Sequence, residues 1–213
     1  MAKVTAPNLS IKSNGQVGKA LVHTQWRGVN VVRSYATPSN PKTAEQTKTR
    51  SIFGALSDIW KTMNAAVQAV WTLAAKGQAY TNRNLWISVN LPLLRTETDC
   101  AKMMASNGAK GGLAPASITV TGAAGKVTVA AEAPDLPTGW TITAFHAMAI
   151  KSGDMHEASF NTTTYYGTDA TSPYSVDLTV AAGLYQAFGF FQFAKADGTI
   201  AYGPSITGTG TAT

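Results

Sequence analysis

Residues 174–193 read Tyr-Ser-Val-Asp-Leu-Thr-Val-Ala-Ala-Gly-Leu-Tyr-Gln-Ala-Phe-Gly-Phe-Phe-Gln-Phe. The stretch contains two β-prone runs, 174–180 and 184–193, and a short segment that ends in glycine separates them. Runs of β-branched and aromatic residues that are bounded by turn residues are typical of antiparallel strands. The stretch therefore predicts an all-β architecture for the second half of the chain.

The same kind of pattern extends on both sides of this stretch. Further strand candidates lie at 118–120, 126–130, 141–150, 159–160 together with 164–166, and 199–202. Seven strands separated by Gly and Pro turns have the number and spacing of an immunoglobulin-like sandwich. Leu178 and Tyr185 resemble the Leu and Tyr at one strand crossing of fibronectin type III domains, where the tyrosine hydroxyl bonds to the backbone. We expect such a sandwich over 117–206, followed by a C-terminal tail at 207–213.

The first half of the chain starts with turn signals and prolines. Ser13-Asn14-Gly15 and Arg27-Gly28 separate short β-prone runs, one of them at 9–13, which predicts an N-terminal β-hairpin. Two prolines within 37–41 remove backbone donors and favour extended conformations. This segment is therefore expected to form an extended arm.

A pair of helices is expected after the arm. Thr43 and Gln46 have the spacing of a capping box, which predicts a helix start at about residue 44. Apolar residues at helical spacing, Phe53 among them, continue to Met63, and Asn64 is a candidate cap for a second helix that ends at Gly77. The fold class is therefore α+β. The hairpin, arm and helices occupy 1–96, and a Gly-rich linker occupies 97–116.

Charge differs between the two halves. Charged residues make up 13% of the chain, about half of the roughly 25% typical of soluble proteins. Residues 1–110 carry 14 Lys and Arg against 4 Asp and Glu, whereas 111–213 carry 3 against 7. Opposite signs favour head-to-tail assembly of copies, and a solvated basic face is the alternative. The basic residues are scattered and form no known nucleic-acid module, so no nucleic-acid partner is expected.

Composition also bears on location and cofactors. No apolar run approaches the roughly 18 residues that a membrane span needs, and residues 1–8 lack the apolar core of a secretory signal. We therefore expect synthesis in the cytoplasm and no membrane partner. One cysteine, Cys100, and three histidines exclude a disulfide framework and a Cys-rich zinc site. No cofactor and no metal are expected.

Candidate catalytic groups are sparse. His146, His156, Asp154 and Ser152 lie close in sequence, as a Ser/His/Asp hydrolase would require in space. His146 falls inside a predicted strand, however, and the chain has no Gly-x-Ser-x-Gly elbow. We therefore expect no enzyme activity. Two carboxylate pairs could favour a cation: Asp154 with Glu157, and Glu132 with Asp135.

The N-terminal motifs have a specific order. Gly15 and Gly18 are followed by Trp-Arg-Gly-Val-Asn-Val-Val-Arg-Ser at 26–34 and Thr-Pro-Ser-Asn-Pro-Lys-Thr at 37–43, and then by Gln46, Arg50, Phe53, Trp60 and Trp71. This order resembles a module of tailed-bacteriophage virion proteins and related prophage proteins, over residues 15 to about 90. The resemblance implies a virion structural component that binds other virion proteins and copies of itself. At 63–66 the sequence reads Met-Asn-Ala-Ala, where relatives often carry a polar helix-starting turn.

These observations predict a non-enzymatic virion structural protein that is made in the host cytoplasm. A capsid-associated or decoration protein is favoured over a tail or connector component. Tryptophans supply buried area, arginines supply bidentate contacts to acidic groups, and prolines pre-extend the arm. The expected docking residues are Trp26, Arg27, Arg33, Pro38, Asn40, Pro41, Arg50, Trp60 and Trp71. For Trp60 and Trp71, a purely internal core is the alternative.

A host-surface glycan is the alternative partner from a different class of function. The predicted sandwich is rich in aromatic residues, and alternation along its strands sends part of them outward. Aromatic rings on such a surface can stack on sugars. The candidate stacking residues are Tyr165, Tyr166 and Tyr202.

Overall fold

The chain divides into two compact units, Met1–Lys42 and Thr43–Thr213, which we call unit 1 and unit 2. The structure is a computed structural model that describes residues 2–3, 14–26, 28–37, 39–96, 100–157 and 159–213, without the side chains of residues 2, 3 and 26. The predicted boundary near residue 97 differs from this division. The reason is that the helices and the strands of the second half share a hydrophobic core.

Unit 1 is a small antiparallel sheet. Its strand order is β1-β4-β3-β2, and the strands are β1 (Ala2–Lys3), β2 (Gly15–Val17), β3 (Leu21–Trp26) and β4 (Val29–Ser34). The turn between β3 and β4 contains Gly28 at φ +80°, a conformation that glycine adopts without strain. Gly15, predicted to lie in a turn, is instead part of β2, and the strand predicted at 9–13 lies outside the described residues.

Unit 2 begins with three helices: α1 (Ala44–Thr62), α2 (Ala65–Ala75) and α3 (Asn82–Leu94). The Thr43 hydroxyl accepts a hydrogen bond from the Gln46 N–H at 3.4 Å, and the Asn64 side chain accepts one from the Ala66 N–H at 2.9 Å. Both predicted helix starts are therefore confirmed. The sequence did not predict α3, which carries Pro92 in its last turn.

Two antiparallel sheets follow the helices. The smaller one has the order β5-β6-β9, with β5 (Ser117–Ala123), β6 (Lys126–Glu132) and β9 (Tyr174–Thr179). The larger one has the order β11-β10-β7-β8, and β12 also pairs with β10. Its strands are β7 (Thr141–Lys151), β8 (Thr164–Asp169), β10 (Gly183–Ala194), β11 (Ile200–Tyr202) and β12 (Ile206–Ala212). With the sheet of unit 1, the described part of the chain contains three α-helices and three antiparallel sheets.

The larger sheet is covered on both faces. Phe191 and Phe193 of β10 pack toward the smaller sheet in one core, whereas Phe188 and Phe190 pack toward the helices in another. A strand that is buried on both faces reads as a nearly continuous apolar run. This explains why residues 184–193 are almost all apolar. Unit 2 therefore has three layers: the helices, the larger sheet and the smaller sheet.

The segment predicted as a linker, 97–116, contributes buried residues to unit 2 in its described part, 100–116. Cys100, Met103 and Ala105 are buried, and the Asn90 side chain accepts a hydrogen bond from the Met104 N–H at 2.7 Å. Residues 97–99 lie outside the described part of the chain. Cys100 is therefore part of the core that the helices share with the larger sheet.

The segment predicted as a tail forms β12. Residues 206–212 pair with residues 183–189 of β10 along their whole length. At the end of this strand, the Thr213 N–H donates to the Ala123 carbonyl and the Gly125 N–H donates to the Thr213 carbonyl. These bonds connect the larger sheet to the smaller one at this edge.

Four loops of unit 2 contain the same local turn, in which an Asp or Asn side chain accepts the backbone N–H two residues later. The pairs are Asp154 with His156, Asn161 with Thr163, Asp169 with Thr171, and Asp197 with Thr199, at 2.8–3.0 Å. Such Asx turns fix the loop backbone locally. They also stabilise the charged carboxylate: hydrogen bonds from Ser175 and Thr171 lower the pKa of Asp169, and those from Thr199 lower the pKa of Asp197.

Candidate functional site

Unit 1 exposes apolar side chains that a folded sheet normally covers. Val17 is 52% exposed, and Leu21, Val29 and Tyr35 are also exposed. Among the described residues of this unit, His23 and Val31 are the buried ones. A sheet of this size needs an apolar face that is packed against something for stability. Val17 and Leu21 pair with each other on one face of the sheet and Val29 lies on the other, so both faces expose apolar side chains, as interaction surfaces do.

The whole charge excess of the chain lies in unit 1. Residues 1–42 contain six Lys and Arg and no Asp or Glu, whereas residues 43–213 contain eleven of each sign. The net charge of +6 is therefore carried by the first 42 residues. A cationic surface of this kind favours an acidic partner and increases the rate of association with it.

The docking residues predicted in unit 1 have different outcomes. Arg33, Asn40 and Pro41 are exposed. Arg33 stands opposite Val22 in the β3–β4 pair, so its cation and neighbouring apolar side chains share one face. The prediction for Arg27 and Pro38, and for the side chain of Trp26, lies outside the described residues.

The predicted docking role of Trp60 and Trp71 is corrected by the structure. The Trp71 side chain is fully buried and its Nε1 donates to the Ala105 carbonyl at 2.8 Å. Trp60 is buried with its ring centroid 5.6 Å from that of Trp86. The aromatic stripe of the helices thus packs inside unit 2, since the helices cover the larger sheet, and neither indole is available to a partner.

Arg50 lies on a surface groove that sequence reasoning did not find. The groove has a volume of about 580 Å³ and runs between α1, which contributes Arg50 and Phe53, and α3, which contributes Leu91 and its C-cap residue Arg95. Phe53 is 49% exposed, although its helical spacing predicted a core position. The sequence contained a signal for this position. Even without Phe53, a complete apolar stripe at helical spacing is formed by Ile52, Leu56, Ile59 and Met63, and the structure buries all four.

The three candidate glycan-stacking tyrosines do not form one exposed row. Tyr165 and Tyr166 are consecutive in β8 and point to opposite faces of the sheet. The Tyr165 ring meets the Tyr185 ring edge-on, with 5.7 Å between the ring centroids, on the side of the smaller sheet. Tyr166 packs on the side of the helices. Tyr202 is buried in the helical core. These tyrosines therefore do not form the exposed row that a stacking platform needs, because Tyr202 is buried and the half-buried Tyr165 and Tyr166 lie on opposite faces of the sheet.

His146 is enclosed between the helices and the larger sheet. Its Nδ1 lies 2.7 Å from the Tyr166 hydroxyl, its Nε2 lies 3.1 Å from Gln192 Oε1, and its ring stacks on Phe190. Burial lowers the pKa of His146, and the hydrogen bond with Gln192 partly opposes this effect. Neither hydrogen-bonding partner is a serine or a carboxylate, so His146 does not form the Ser/His/Asp arrangement that its neighbours in sequence suggested.

His156, the second histidine of the candidate hydrolase group, lies beside Asp154. His156 Nδ1 lies 3.2 Å from Asp154 Oδ1, and its Nε2 is buried without a hydrogen-bond partner among the described residues.

Within the described ranges, no group of three or more His, Cys, Asp or Glu is arranged to hold a metal ion. In the same part of the chain, no helix is long and apolar enough to cross a membrane.

Comparison with known proteins gives no assignment. No protein-family model matches the sequence. No curated protein matches it either.

Proposed function

We propose that the protein is a non-enzymatic structural protein of a bacteriophage virion, capsid-associated or decorating, and that it assembles through unit 1. The exposed, cationic sheet of unit 1 carries this proposal, because its apolar side chains and its charge both need a partner surface. The phage context comes from the resemblance of residues 15 to about 90 to virion proteins. The partners are other virion proteins and copies of the same chain.

The β-layers of unit 2 support an immunoglobulin-like assignment as part of this proposal. Consecutive strands change sheet in the order small, small, large, large, small, large, from β5 to β10. This alternation produces the long connections of a Greek-key sandwich. Leu178 and Tyr185, which suggested a fibronectin type III domain, are both buried in the core between the sheets. Such a domain serves as a compact scaffold beside the docking unit.

The first experiment compares the mass in solution of the full chain and of residues 43–213 by size-exclusion chromatography with light scattering. The fragment keeps both described hydrophobic cores, so we expect it to fold on its own. The full chain is expected to form a defined oligomer or polymer, and the fragment is expected to have a much smaller mass. A monomeric full chain that also fails to bind purified particles contradicts the proposal.

Charge reversal gives a matched pair of full-length variants. Lys19→Glu with Arg33→Glu places two negative charges on exposed positions of unit 1 and is expected to weaken assembly. Lys61→Glu with Lys76→Glu makes the same charge change on exposed helical positions of unit 2 and serves as the control. Equal loss of assembly in both variants would assign the effect to net charge rather than to unit 1.

Membership of the virion is tested directly. Gradient-purified particles from cells that carry the gene are digested and analysed by mass spectrometry. Peptides of this protein are expected at a fixed ratio to the major particle protein. Recovery only in the particle-free fraction contradicts a virion role.

A further inference from the structure

We propose that Asn14 in unit 1 deamidates spontaneously, and that the carboxylate formed there weakens the docking of unit 1. Asn14 is followed by Gly15, and asparagine before glycine is the most reactive context for this step because glycine has no side chain to hinder ring closure. The reaction itself does not depend on the proposed function. Its effect on docking rests on that function and limits it with time.

The chain contains an internal comparison for this site. Its two Asn-Gly pairs lie in identical Ser-Asn-Gly tripeptides, at 13–15 and at 106–108. In an unfolded chain the two tripeptides should therefore react at similar rates. A large difference between them in the folded protein reports the structure around each one.

The reactants are two neighbouring residues and water. The Gly15 backbone nitrogen loses its proton to the solvent and attacks Cγ of Asn14. A new C–N bond forms, the bond from Cγ to Nδ2 breaks, and the leaving nitrogen takes up a proton and departs as ammonia. Water then opens the resulting cyclic imide at one of its two carbonyl carbons, and the Gly15 nitrogen regains a proton. The product is aspartate or isoaspartate, each with one new carboxylate.

The structure leaves this attack open at Asn14. The residue is exposed and lies outside the regular elements, directly before β2, which comes last in the strand order of the unit 1 sheet. Gly15 is also exposed, at φ +127°, and a Cβ built on it would meet no atom within 4 Å beyond its chain neighbours. The amide of Asn14 therefore has room to turn toward the next backbone nitrogen, and water can reach the imide that forms.

The second tripeptide is enclosed. Ser106 is fully buried, and Asn107 forms an antiparallel bridge with Pro204 and has a buried Oδ1. The Gly108 N–H, which would have to attack, donates to Ser106 Oγ at 3.3 Å, and a Cβ at position 108 would lie 3.2 Å from the Pro204 ring. Attack requires this loop to open first, so deamidation of Asn107 should be slow.

The new carboxylate is the first acidic group in the sequence of unit 1. Residues 1–42 contain six Lys and Arg and no Asp or Glu, so one conversion lowers their formal charge from +6 to +5. Asn14 shortly precedes Val17, which is 52% exposed, and the exposed Lys19. The carboxylate therefore forms beside apolar and cationic groups that carry the proposed docking. An acidic partner surface would repel it.

Isoaspartate also changes the backbone. Its main chain runs through Cβ, so one extra atom separates residue 14 from Gly15. Gly15 stands opposite His23 in the β2–β3 pair, and β2 is three residues long. An extra atom before the first residue of so short a strand disturbs its register. Both products therefore disfavour docking, one through charge alone and the other through charge and register.

Peptide mapping tests the chemical step in the full chain. The protein is kept under mildly alkaline conditions, and samples are digested with trypsin, which releases the two tripeptides in the peptides 13–19 and 103–110. Mass spectrometry measures the deamidated fraction of each peptide. We expect Asn14 to convert about tenfold or more faster than Asn107, because local opening limits the second reaction. The same incubation in concentrated urea should bring the two rates close together.

Two results would overturn the site. Equal rates in the folded protein would mean that the structure does not distinguish the two asparagines, and a faster rate at Asn107 would reverse the assignment. The variant Asn14→Gln is the blocked reference, because its longer side chain must close a larger ring and reacts far more slowly. Its peptide 13–19 should keep its mass over the same period.

Aspartate variants test the effect on docking. Asn14→Asp is expected to weaken co-sedimentation of the full chain with gradient-purified particles about twofold to fivefold, the range for one exposed charge contact. Asn84→Asp makes the same change at an exposed position of α3 and serves as the control. Wild-type protein aged until Asn14 has converted should also bind less, whereas equally aged Asn14→Gln should keep its binding. Equal binding of the two aspartate variants overturns the effect on docking.

The outcomes separate this inference from the proposed function. Fresh protein that neither assembles nor binds particles overturns the proposed function, while the peptide map still decides whether Asn14 reacts. Fresh protein that binds particles, with an Asn14 that stays intact in the folded chain, overturns the inference and leaves the docking role in place.

Discussion

Buried polar side chains determine how the layers of unit 2 meet. Asn90 is fully buried in α3, where its amide nitrogen donates to Trp86 and Met104 carbonyls and its oxygen accepts the Met104 N–H. His146 uses both ring nitrogens between Tyr166 and Gln192 on the larger sheet. Because every unpaired polar group would lose its hydration on burial, these bonds favour one arrangement of the layers over others that bury similar apolar area.

The stability of the protein should decrease in mild acid through His146. An unfolded histidine titrates near pH 6.5, and burial lowers the pKa of His146 in the folded state. Below pH 6.5 the unfolded chain therefore binds more protons than the folded chain, and the free energy of unfolding falls as the pH decreases. The groups in contact with the ring, Tyr166, Gln192 and Phe190, carry no charge in this range that could compensate.

Urea denaturation between about pH 7.5 and 5 measures this effect, which for one proton is at most about 1.4 kcal/mol per pH unit. The variant His146→Gln should show a flatter dependence over the same range. Asp169 and Asp197 affect stability at lower pH. Hydrogen bonds in the folded state lower their pKa values, so their contribution to the free energy of unfolding is present above about pH 3.8 and is lost as the pH falls below it. An unchanged slope in the variant would assign the acid sensitivity to other groups.

At the level of elements, the strand β12 closes the contact between the two sheets at one edge. Gly122 of β5 lies against Thr211 of β12, and a Cβ atom at position 122 would collide with the Thr211 backbone. Gly208 and Gly210 of β12 leave similar room for Val120. Glycine at these positions allows two strands that belong to different sheets to approach as closely as backbone allows.

Gly122→Ala is therefore expected to destabilise the protein by about 1–3 kcal/mol, because the added methyl group must separate β5 from β12. Gly54→Ala is the matched control. Position 54 lies in α1 with open space around an added Cβ, and alanine there is expected to stabilise the helix by up to about 1 kcal/mol. Chemical denaturation of the two variants decides the point, and a neutral Gly122→Ala would mean that the strands adjust freely.

Local signals made some elements predictable. The starts of α1 and α2 follow from Thr43 and Asn64, whose side chains bond within three residues of their own position. Strand β12 could not be found in this way, because two glycines interrupt the β-branched residues of Ile-Thr-Gly-Thr-Gly-Thr-Ala and the strand is held by pairing with β10. The packing of residues 100–116 likewise depends on distant partners such as Ser205, which bonds to the Ala105 N–H.

The candidate site was less predictable than the fold. A helical stripe shows which residues are apolar but not which surface covers them. The sequence therefore left Trp60 and Trp71 open between a docking role and an internal core, and the structure places both in the core of unit 2. Phe53 had the opposite outcome: it was assigned to the core and lies on a surface groove. In both cases the missing information was the tertiary position of the sheet.

At the scale of the whole molecule, charge and apolar exposure coincide in unit 1, whereas unit 2 is balanced in charge. Binding of unit 1 to an acidic partner surface should therefore weaken with salt. The Debye length falls from about 10 Å at 0.1 M to about 3 Å at 1 M, so attraction between exposed charges is screened. Co-sedimentation of the full chain with purified particles at the two salt concentrations should show less bound protein at the higher one. A bound amount that does not change with salt would assign the binding to apolar contacts alone.

The Asx turns of unit 2 have an evolutionary consequence. Three of the four turns are bonded within three neighbouring residues, as Asp197 is to Thr199, whereas Asp169 also accepts the Ser175 N–H of β9. The backbone of the three local turns does not depend on the strands around them. Insertions or substitutions beside these turns should therefore leave both cores packed as they are. Such loops offer positions at which the protein surface can change while the strand pairing stays the same.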